Sequence, residues 1–206
     1  MIRSCIGEGW RAFRRYPGAL IGAFLVATIV QVLIALPGAG STEERQTFLT
    51  IVALALAGPL EAGQAWVVLK GVRGRGPRVR DLFQGFRRFG DALLAYVLTS
   101  LIILVGVLLA VVPGVLFWLK YSVVFYALMD QRLPGRDAMR ESARLTKGHR
   151  GKIFLLGLTL LGLNILGAAA FLLGLLVTVP VSYASMAALY GRLKEEKGPR
   201  RRYVPL

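Results

Sequence analysis

The sequence has few of the residues that most often build catalytic or metal sites. It contains one cysteine, Cys5, and one histidine, His149, in 206 residues. A single cysteine excludes an intrachain disulfide and a cysteine-rich metal site. His149 lies in a basic turn with no pair of acids beside it, which argues against a metal ligand or a Ser-His catalytic pair. We therefore expect no metal, no cofactor and no catalytic residue.

Charge is absent from most of two long intervals. Residues 93–129 contain one charged residue, Lys120, and residues 153–191 contain none. A helix that crosses the bilayer hydrocarbon needs roughly 20 apolar residues, so each interval has room for two such helices. A soluble chain of 22.5 kDa, with a mean hydropathy of +0.59, would be too small to bury them. The sequence therefore predicts a polytopic α-helical membrane protein.

Six membrane spans follow from the apolar intervals and from the Pro and Gly residues that separate them. The predicted spans are residues 19–37, 48–70, 92–112, 114–130, 153–173 and 175–192. The expected fold class is thus all-α: one domain, residues 1–206, with six transmembrane helices in three hairpins. Amphipathic segments at residues 1–18, 81–89 and 134–147 predict short interfacial helices on the cytoplasmic face.

The positions of the basic residues predict the orientation. All Lys and Arg residues except Arg45 and Lys120 lie in the N-terminal segment, in residues 70–91, in residues 130–152 or in the C-terminal segment. Basic loops of multi-pass proteins face the cytoplasm, so we expect both termini there, and the bacterial inner membrane as the location. The same rule accounts for the net charge of +15 without nucleic acid as a partner.

The chain also shows signs of a threefold repeat. Residues 14–20, RRYPGAL, match residues 87–93, RRFGDAL, at five of seven positions when Tyr and Phe are equated. A proline lies near the outer end of each returning helix, at Pro59, Pro113 and Pro180. The pattern favours repeats at residues 1–76, 77–133 and 134–195, although any two hydrophobic hairpins share some similarity.

Residues 126–154 combine an apolar span that ends in an acid, a Pro-Gly turn, and the run DAMRESARLTKGHRGKIF before another span. The segment resembles a broad group of uncharacterised six-span bacterial membrane proteins, which includes relatives of the membrane domain attached to some glycerophosphodiester phosphodiesterases. The matching residues are Asp137, Ala138, Ser142, Leu145, Gly148 and Phe154. The N-terminal GEGWRAFRRYPGALI is similar to that group's opening as well. The resemblance implies a fold and a location, but no catalytic residue, because the phosphodiesterase chemistry belongs to a separate domain.

Two charged residues fall inside predicted spans, Glu61 and Lys120. Each is nine or ten residues from the polar end of its span, which at 1.5 Å per residue is about 13–15 Å deep. Equal depth and opposite sign predict an ion pair inside the bundle. Such a pair would either fix the register of the helices or form part of a substrate or proton path. A third interpretation is that Lys120 extends to the interface without a partner.

The basic residues of the short helices form the second candidate site. We expect them to contact anionic phospholipid headgroups; the alternatives are docking of an acidic protein partner or a pocket for a phospholipid headgroup. A homo-oligomer is a separate option for the chain as a whole. The residues are Arg87, Arg88, Arg136, Arg140, Arg144 and Lys147.

Three functions remain open at this point. The favoured one is a non-enzymatic scaffold or accessory protein that binds lipid or a partner. The alternative is a small transporter or channel that uses Glu61 and Lys120, for which a cavity reaching Glu61 would be the discriminating feature. A lipid enzyme is the third, and it would depend on one loop with Asp130, Asp137, Glu141 and His149.

Overall fold

The computed structural model describes residues 2–35, 43–169 and 173–198, and every element in these ranges is helical. The α-helices are α1 (Ile2–Arg15), α2 (Pro17–Ala35), α3 (Glu43–Val72), α4 (Phe89–Leu109), α5 (Val111–Tyr121), α6 (Val124–Gln131), α7 (Gly135–Thr146), α8 (Arg150–Ala169) and α9 (Leu175–Lys197). A 3-10 helix, Val79–Arg88, precedes α4. The predicted ends of the first and fifth spans fall partly on residues 36–37 and 170–172, which lie outside the described residues.

Five stretches are long and apolar enough to cross a membrane, which is compatible with a multi-pass membrane protein. They are Pro17–Ile34, Glu43–Val72, Val79–Leu109, Val111–Gln131 and Arg150–Ala169. The predicted sixth span, in α9, is not among them. The helix α9 contains the polar residues Thr178, Ser182 and Ser185 and ends in a charged run from Arg192 to Lys197, so its hydropathy is low for a helix of its length. Six spans and three hairpins therefore stay predictions.

An inner group of helices is surrounded by more exposed ones. The helices α3, α6 and α9 contact one another, and their buried side chains include Leu60, Ala127 and Ala184. By contrast, more than half of the Leu33, Leu104 and Leu166 side chains is exposed, on α2, α4 and α8. Apolar side chains exposed along whole helices are typical of a surface that contacts lipid.

The predicted fourth span is two helices rather than one. The turn before it is at Ala110, which is extended with φ −174° and ψ 157°, so Pro113 lies in the first turn of α5 instead of in the turn. Proline is tolerated there because the first backbone N–H groups of a helix have no intrahelical acceptor. Between Tyr121 and Val124 the helix is interrupted. Side chains from α7 approach this interruption: Ser142 and Thr146 donate hydrogen bonds to the Lys120 carbonyl, at 2.9 and 3.2 Å.

The second amphipathic segment differs from its prediction. The sequence predicts an α-helix over residues 81–89, because Leu82, Phe83, Phe86 and Phe89 would then share one face. Residues three apart share a face in the 3-10 helix that is observed, so Leu82 and Gly85 are buried while Phe83 and Phe89 are exposed. The reason is a close approach to α3: a Cβ atom on Gly85 would lie 1.9 Å from the Pro59 carbonyl oxygen.

Each short amphipathic helix packs along a neighbouring helix and places an acid at the end of that neighbour. The 3-10 helix packs on α3, where Lys70 donates to Asp81 at 2.7 Å. The amphipathic α1 packs on α9, with an ion pair between Arg192 and Glu8. In the same way α7 packs on α6, where Gln131 donates to Glu141 at 3.2 Å. The short helices are thus part of the packed bundle.

Candidate functional site

A cleft of about 550 Å³ lies between α3, α5, α6, α8 and α9. It reaches the outside of the bundle beside Trp118 and Phe154, which are 42% and 47% exposed. Its wall is mainly apolar and aromatic, and the aromatic residues are Trp118, Phe125, Tyr126, Phe154 and Tyr183. Because α8 contacts α5 sparingly along this side, the cleft separates the two helices.

Polar side chains lie in this cleft among the apolar ones, including Glu61, Ser122, Asn164, Ser182 and Tyr183. The Tyr183 hydroxyl donates to Glu61 Oε1 at the long distance of 3.5 Å. On the opposite side, Asn164 Nδ2 donates to Ser182 Oγ at 3.1 Å and so joins α8 to α9. A mainly apolar cavity of this size with a few convergent polar groups has the form of a ligand site.

The predicted ion pair between Glu61 and Lys120 is not formed in this structure. Lys120 lies in the last turn of α5, and its ammonium group is 5.1 Å from the centre of the Tyr121 ring. Glu61 faces the cleft from α3, and α3 packs against α6 rather than α5. The equal depth predicted for Glu61 and Lys120 requires a continuous helix in the fourth span, and the helix is interrupted after Tyr121.

A network of charged groups, which we call the polar end, holds the inner helices together beyond the cleft. Its centre is Asp130 of α6, whose side chain is 7% exposed. Asp130 accepts hydrogen bonds from Arg73, from Lys194 at 2.7 Å and from the Tyr190 hydroxyl at 2.8 Å. The bases come from the end of α3 and from α9, so one carboxylate connects all three inner helices.

The polar end continues through Gln131 into α7. Gln131 Nε2 donates both to the Tyr190 hydroxyl and to Glu141 Oε1, each at 3.2 Å. Glu141 is 1% exposed and accepts two hydrogen bonds from Arg144, at 2.8 and 3.0 Å. These hydrogen bonds raise the pKa of the Arg144 guanidinium above its ordinary value, so the guanidinium stays charged. Arg144 also donates to the Gly198 carbonyl near the end of α9.

The six basic residues predicted to contact headgroups fall into two sets. Arg87, Arg136, Arg140 and Lys147 are exposed. The other two make internal contacts: Arg88 pairs with Asp91 at 2.8 Å, and Arg144 pairs with Glu141. The exposed surface is therefore smaller than the sequence suggested, and its contact with lipid remains a prediction.

A larger cavity, of about 780 Å³, lies at the polar end between α1, α3 and α9. Three bases line it, but Arg73 and Lys194 pair with Asp130, and Arg192 pairs with Glu8. Since these charges already have partners, the smaller cleft is the stronger candidate for a ligand site.

No three His, Cys, Asp or Glu side chains within residues 2–35, 43–169 and 173–198 are grouped as a metal site requires. The expectation that the protein binds no metal remains a prediction.

The sequence singles out Glu61 but contains no signal of the aromatic residues that surround it in the cleft. The aromatic residues of the cleft are spread over α5, α6, α8 and α9, so no local pattern groups them. One feature of the sequence pointed to Asp130: it is an acid directly after a long interval with a single charged residue.

The chain has no significant match among protein-family models, curated proteins or solved structures. The resemblance to six-span bacterial membrane proteins thus remains an expectation from the sequence.

Proposed function

We propose that this protein is a multi-pass membrane protein that binds a lipid-like amphiphile in the cleft beside Glu61. The observation that supports the proposal is the cleft itself. Its volume of about 550 Å³ is in the range of small-molecule sites, and its wall is mainly apolar. It opens between α5 and α8, on the side where Leu158 and Leu161 are also exposed. A ligand would enter sideways from the bilayer.

The proposal includes a bundle of six spans, with α9 as the sixth and both termini in the cytoplasm of a bacterial cell. Contacts of α9 with α3 and α6 support an inner position for it. The threefold repeat is part of the proposal as well. It is supported by Glu8, Asp81 and Glu141, since each contacts the end of a helix that belongs to a neighbouring repeat.

We assign a non-enzymatic role, in which the exposed basic residues Arg87, Arg136, Arg140 and Lys147 contact anionic headgroups at the membrane surface. Such contacts would place the molecule at a defined depth. A protein partner or a second copy remains the alternative use of this surface.

The test is to fill the cleft with a larger side chain and to measure where a photoreactive lipid labels the protein. The purified protein is placed in nanodiscs that contain a diacyl lipid with a diazirine on its acyl chain, and the photolabelled peptides are mapped by mass spectrometry. Gly157→Phe places a ring in the cleft, because a Cβ at Gly157 already lies 2.9 Å from Trp118 Cη2. Gly162→Phe on the same helix is the control, since nothing lies within 4 Å of its Cβ position.

We expect labels on cleft residues of α5 and α8 in the natural protein and in Gly162→Phe, and their loss in Gly157→Phe. Labels spread evenly over the exposed faces of α2, α4 and α8, unchanged by Gly157→Phe, would contradict the proposal.

Transport of the amphiphile is the second candidate function. It is favoured by the position of Glu61 in an open cleft and by the interruption between α5 and α6, where Ser122 lines the same cleft. Proteoliposomes loaded with a fluorescent amphiphile would separate the two: release that depends on the protein supports transport, whereas binding without release supports a binding protein.

A further inference from the structure

The cleft contains one carboxylate and no base. Its sixteen lining residues, all of them within the described ranges, include Glu61 but no Lys, Arg or His. The remaining polar groups, such as Asn164 and Ser182, are neutral. The net formal charge that a ligand would meet there is therefore negative whenever Glu61 is ionised.

Glu61, which is half-buried in the wall of the cleft, differs from the buried acids of the described chain. Asp81 pairs with Lys70, Asp130 with Arg73 and Lys194, and Glu141 with Arg144. Glu61 has the Tyr183 hydroxyl at 3.5 Å, and no ion pair joins it to a base among the described residues. A carboxylate removed from water without a counter-charge is costly, and either a proton or a cationic ligand offsets that cost.

The aromatic wall of the cleft suits a cation as well. Five aromatic side chains line it, among them Trp118, Tyr126 and Tyr183. The faces of Trp, Tyr and Phe attract cations, and groups of such rings with an acid are how proteins bind quaternary ammonium compounds. The apolar side chains of α8 that complete the wall would take an alkyl chain.

We infer that the cleft selects an amphiphile with a positively charged ammonium head and an alkyl tail, and that Glu61 is its counter-ion. The inference rests on the proposed function and gives its ligand a chemical class. An anionic headgroup would meet Glu61 without a base to balance it, so anionic lipids belong to the basic surface residues instead. Protons and the ligand compete for the same carboxylate, so binding weakens as the pH falls.

The test compares three probes of equal chain length on the full-length protein in non-ionic detergent. Tritiated dodecyltrimethylammonium is the cationic probe, and unlabelled dodecanol and dodecanoate serve as neutral and anionic competitors. For the natural protein we expect the unlabelled cation to compete best and dodecanoate least, with affinity for the cation rising as the pH is raised. Equal competition by all three, without pH dependence, would overturn the inference without any variant.

Three variants sharpen the result. Glu61→Gln should weaken cation binding about ten-fold or more and remove its pH dependence, while dodecanol affinity stays the same. Glu61→Asp should retain part of the affinity and the pH dependence. The control Glu195→Gln changes an exposed acid outside the cleft and should leave the affinity as it is. Cation binding that survives Glu61→Gln unchanged would overturn the inference.

Gly157→Phe distinguishes failure of this inference from failure of the proposed function. If it abolishes binding of all probes while Glu61→Gln has no effect, the cleft binds amphiphiles but does not select their charge. If it leaves all probe binding intact, the cleft is not the site, and both the proposed function and the inference are wrong. Retention volume and melting temperature of each variant show whether it is folded.

Discussion

The polar end and the cleft are two regions of the same helices, and they differ in whether an acid has a basic partner. At the polar end, Asp130 and Glu141 are almost fully buried and each is paired with an arginine. In the cleft, Glu61 is paired with no base among the described residues, and the space beside it is about 550 Å³. The difference indicates that the polar end holds the fold together, whereas the cleft leaves the space that the proposed ligand would fill.

The largest expected effect comes from packing, which is close where the 3-10 helix meets α3 and open at the cleft. Gly85→Ala would put a Cβ 1.9 Å from the Pro59 carbonyl oxygen, and neither backbone can yield easily. We expect a loss of about 3 kcal/mol of stability, at the upper end for overpacking. Gly157→Ala meets Trp118 Cη2 at 2.9 Å, the end of a side chain that can turn into the cleft, and should change stability by less than about 1 kcal/mol.

Thermal unfolding in detergent, followed by circular dichroism, measures both variants. Equal losses for Gly85→Ala and Gly157→Ala would contradict the distinction between a packed region and an open one.

The next effect concerns the ion pairs of the polar end. Asp130→Asn leaves Arg73 and Lys194 without their common acid, and we expect a loss of about 3 kcal/mol because an uncompensated charge remains partly buried. Arg140→Gln is the matched surface change: Arg140 is 77% exposed and lies 3.7 Å from Asp137, so its removal should cost less than about 1 kcal/mol. Melting temperatures of the two variants under one detergent condition check this, and a similar decrease in both would show that Asp130 has no special role.

Local sequence patterns predicted the helices better than the places where helices meet. The apolar intervals gave the positions of α2, α3, α4 and α8, because a run of such length has one stable conformation in a membrane. The interruption after Tyr121 was not predictable, because it depends on Ser142 and Thr146 of a distant helix donating to the Lys120 carbonyl. For the same reason Lys120 was assigned the wrong neighbour.

The candidate site shows the same limit. A lone Glu61 in an apolar run was recognised as unusual, since a charge within a span is costly. Its partner Tyr183 lies 122 residues further along the chain, and the spacing of the two residues contains no signal of their contact. The 3-10 helix was mistaken for an α-helix although Phe83, Phe86 and Phe89 are three residues apart, which is the period of a 3-10 helix. The contact that decides the structure is made by Gly85.

A smaller effect separates stability from binding at Glu61. Glu61→Gln keeps the shape of the side chain and its contact with Tyr183 but removes a charge that has no counter-charge in the described part of the chain. We therefore expect a small increase in stability, of less than about 1 kcal/mol. Glu141→Gln is the counterpart at the polar end, where the change deprives Arg144 of its acid and should cost about 2 kcal/mol. Unfolding of both variants by heat measures the difference, and a larger loss for Glu61→Gln would mean that Glu61 serves the fold.

The smallest effect tests whether α8 is the movable wall of the cleft. Ser182→Ala removes the hydrogen bond from Asn164, which joins α8 to α9 beside the cleft, and an interhelical hydrogen bond of this kind contributes about 0.6 kcal/mol. Thr159→Ala is the control, because the Thr159 hydroxyl donates to the Leu155 carbonyl within α8 itself. Hydrogen–deuterium exchange in nanodiscs should show faster exchange of α8 in Ser182→Ala, with α3 and α6 unchanged.

Since the polar end fixes α3, α6 and α9 to each other, a loosened α8 would widen the cleft without unfolding the bundle. Faster exchange in all helices would instead mean that the Asn164–Ser182 contact belongs to the core, and that the cleft has no wall able to move independently.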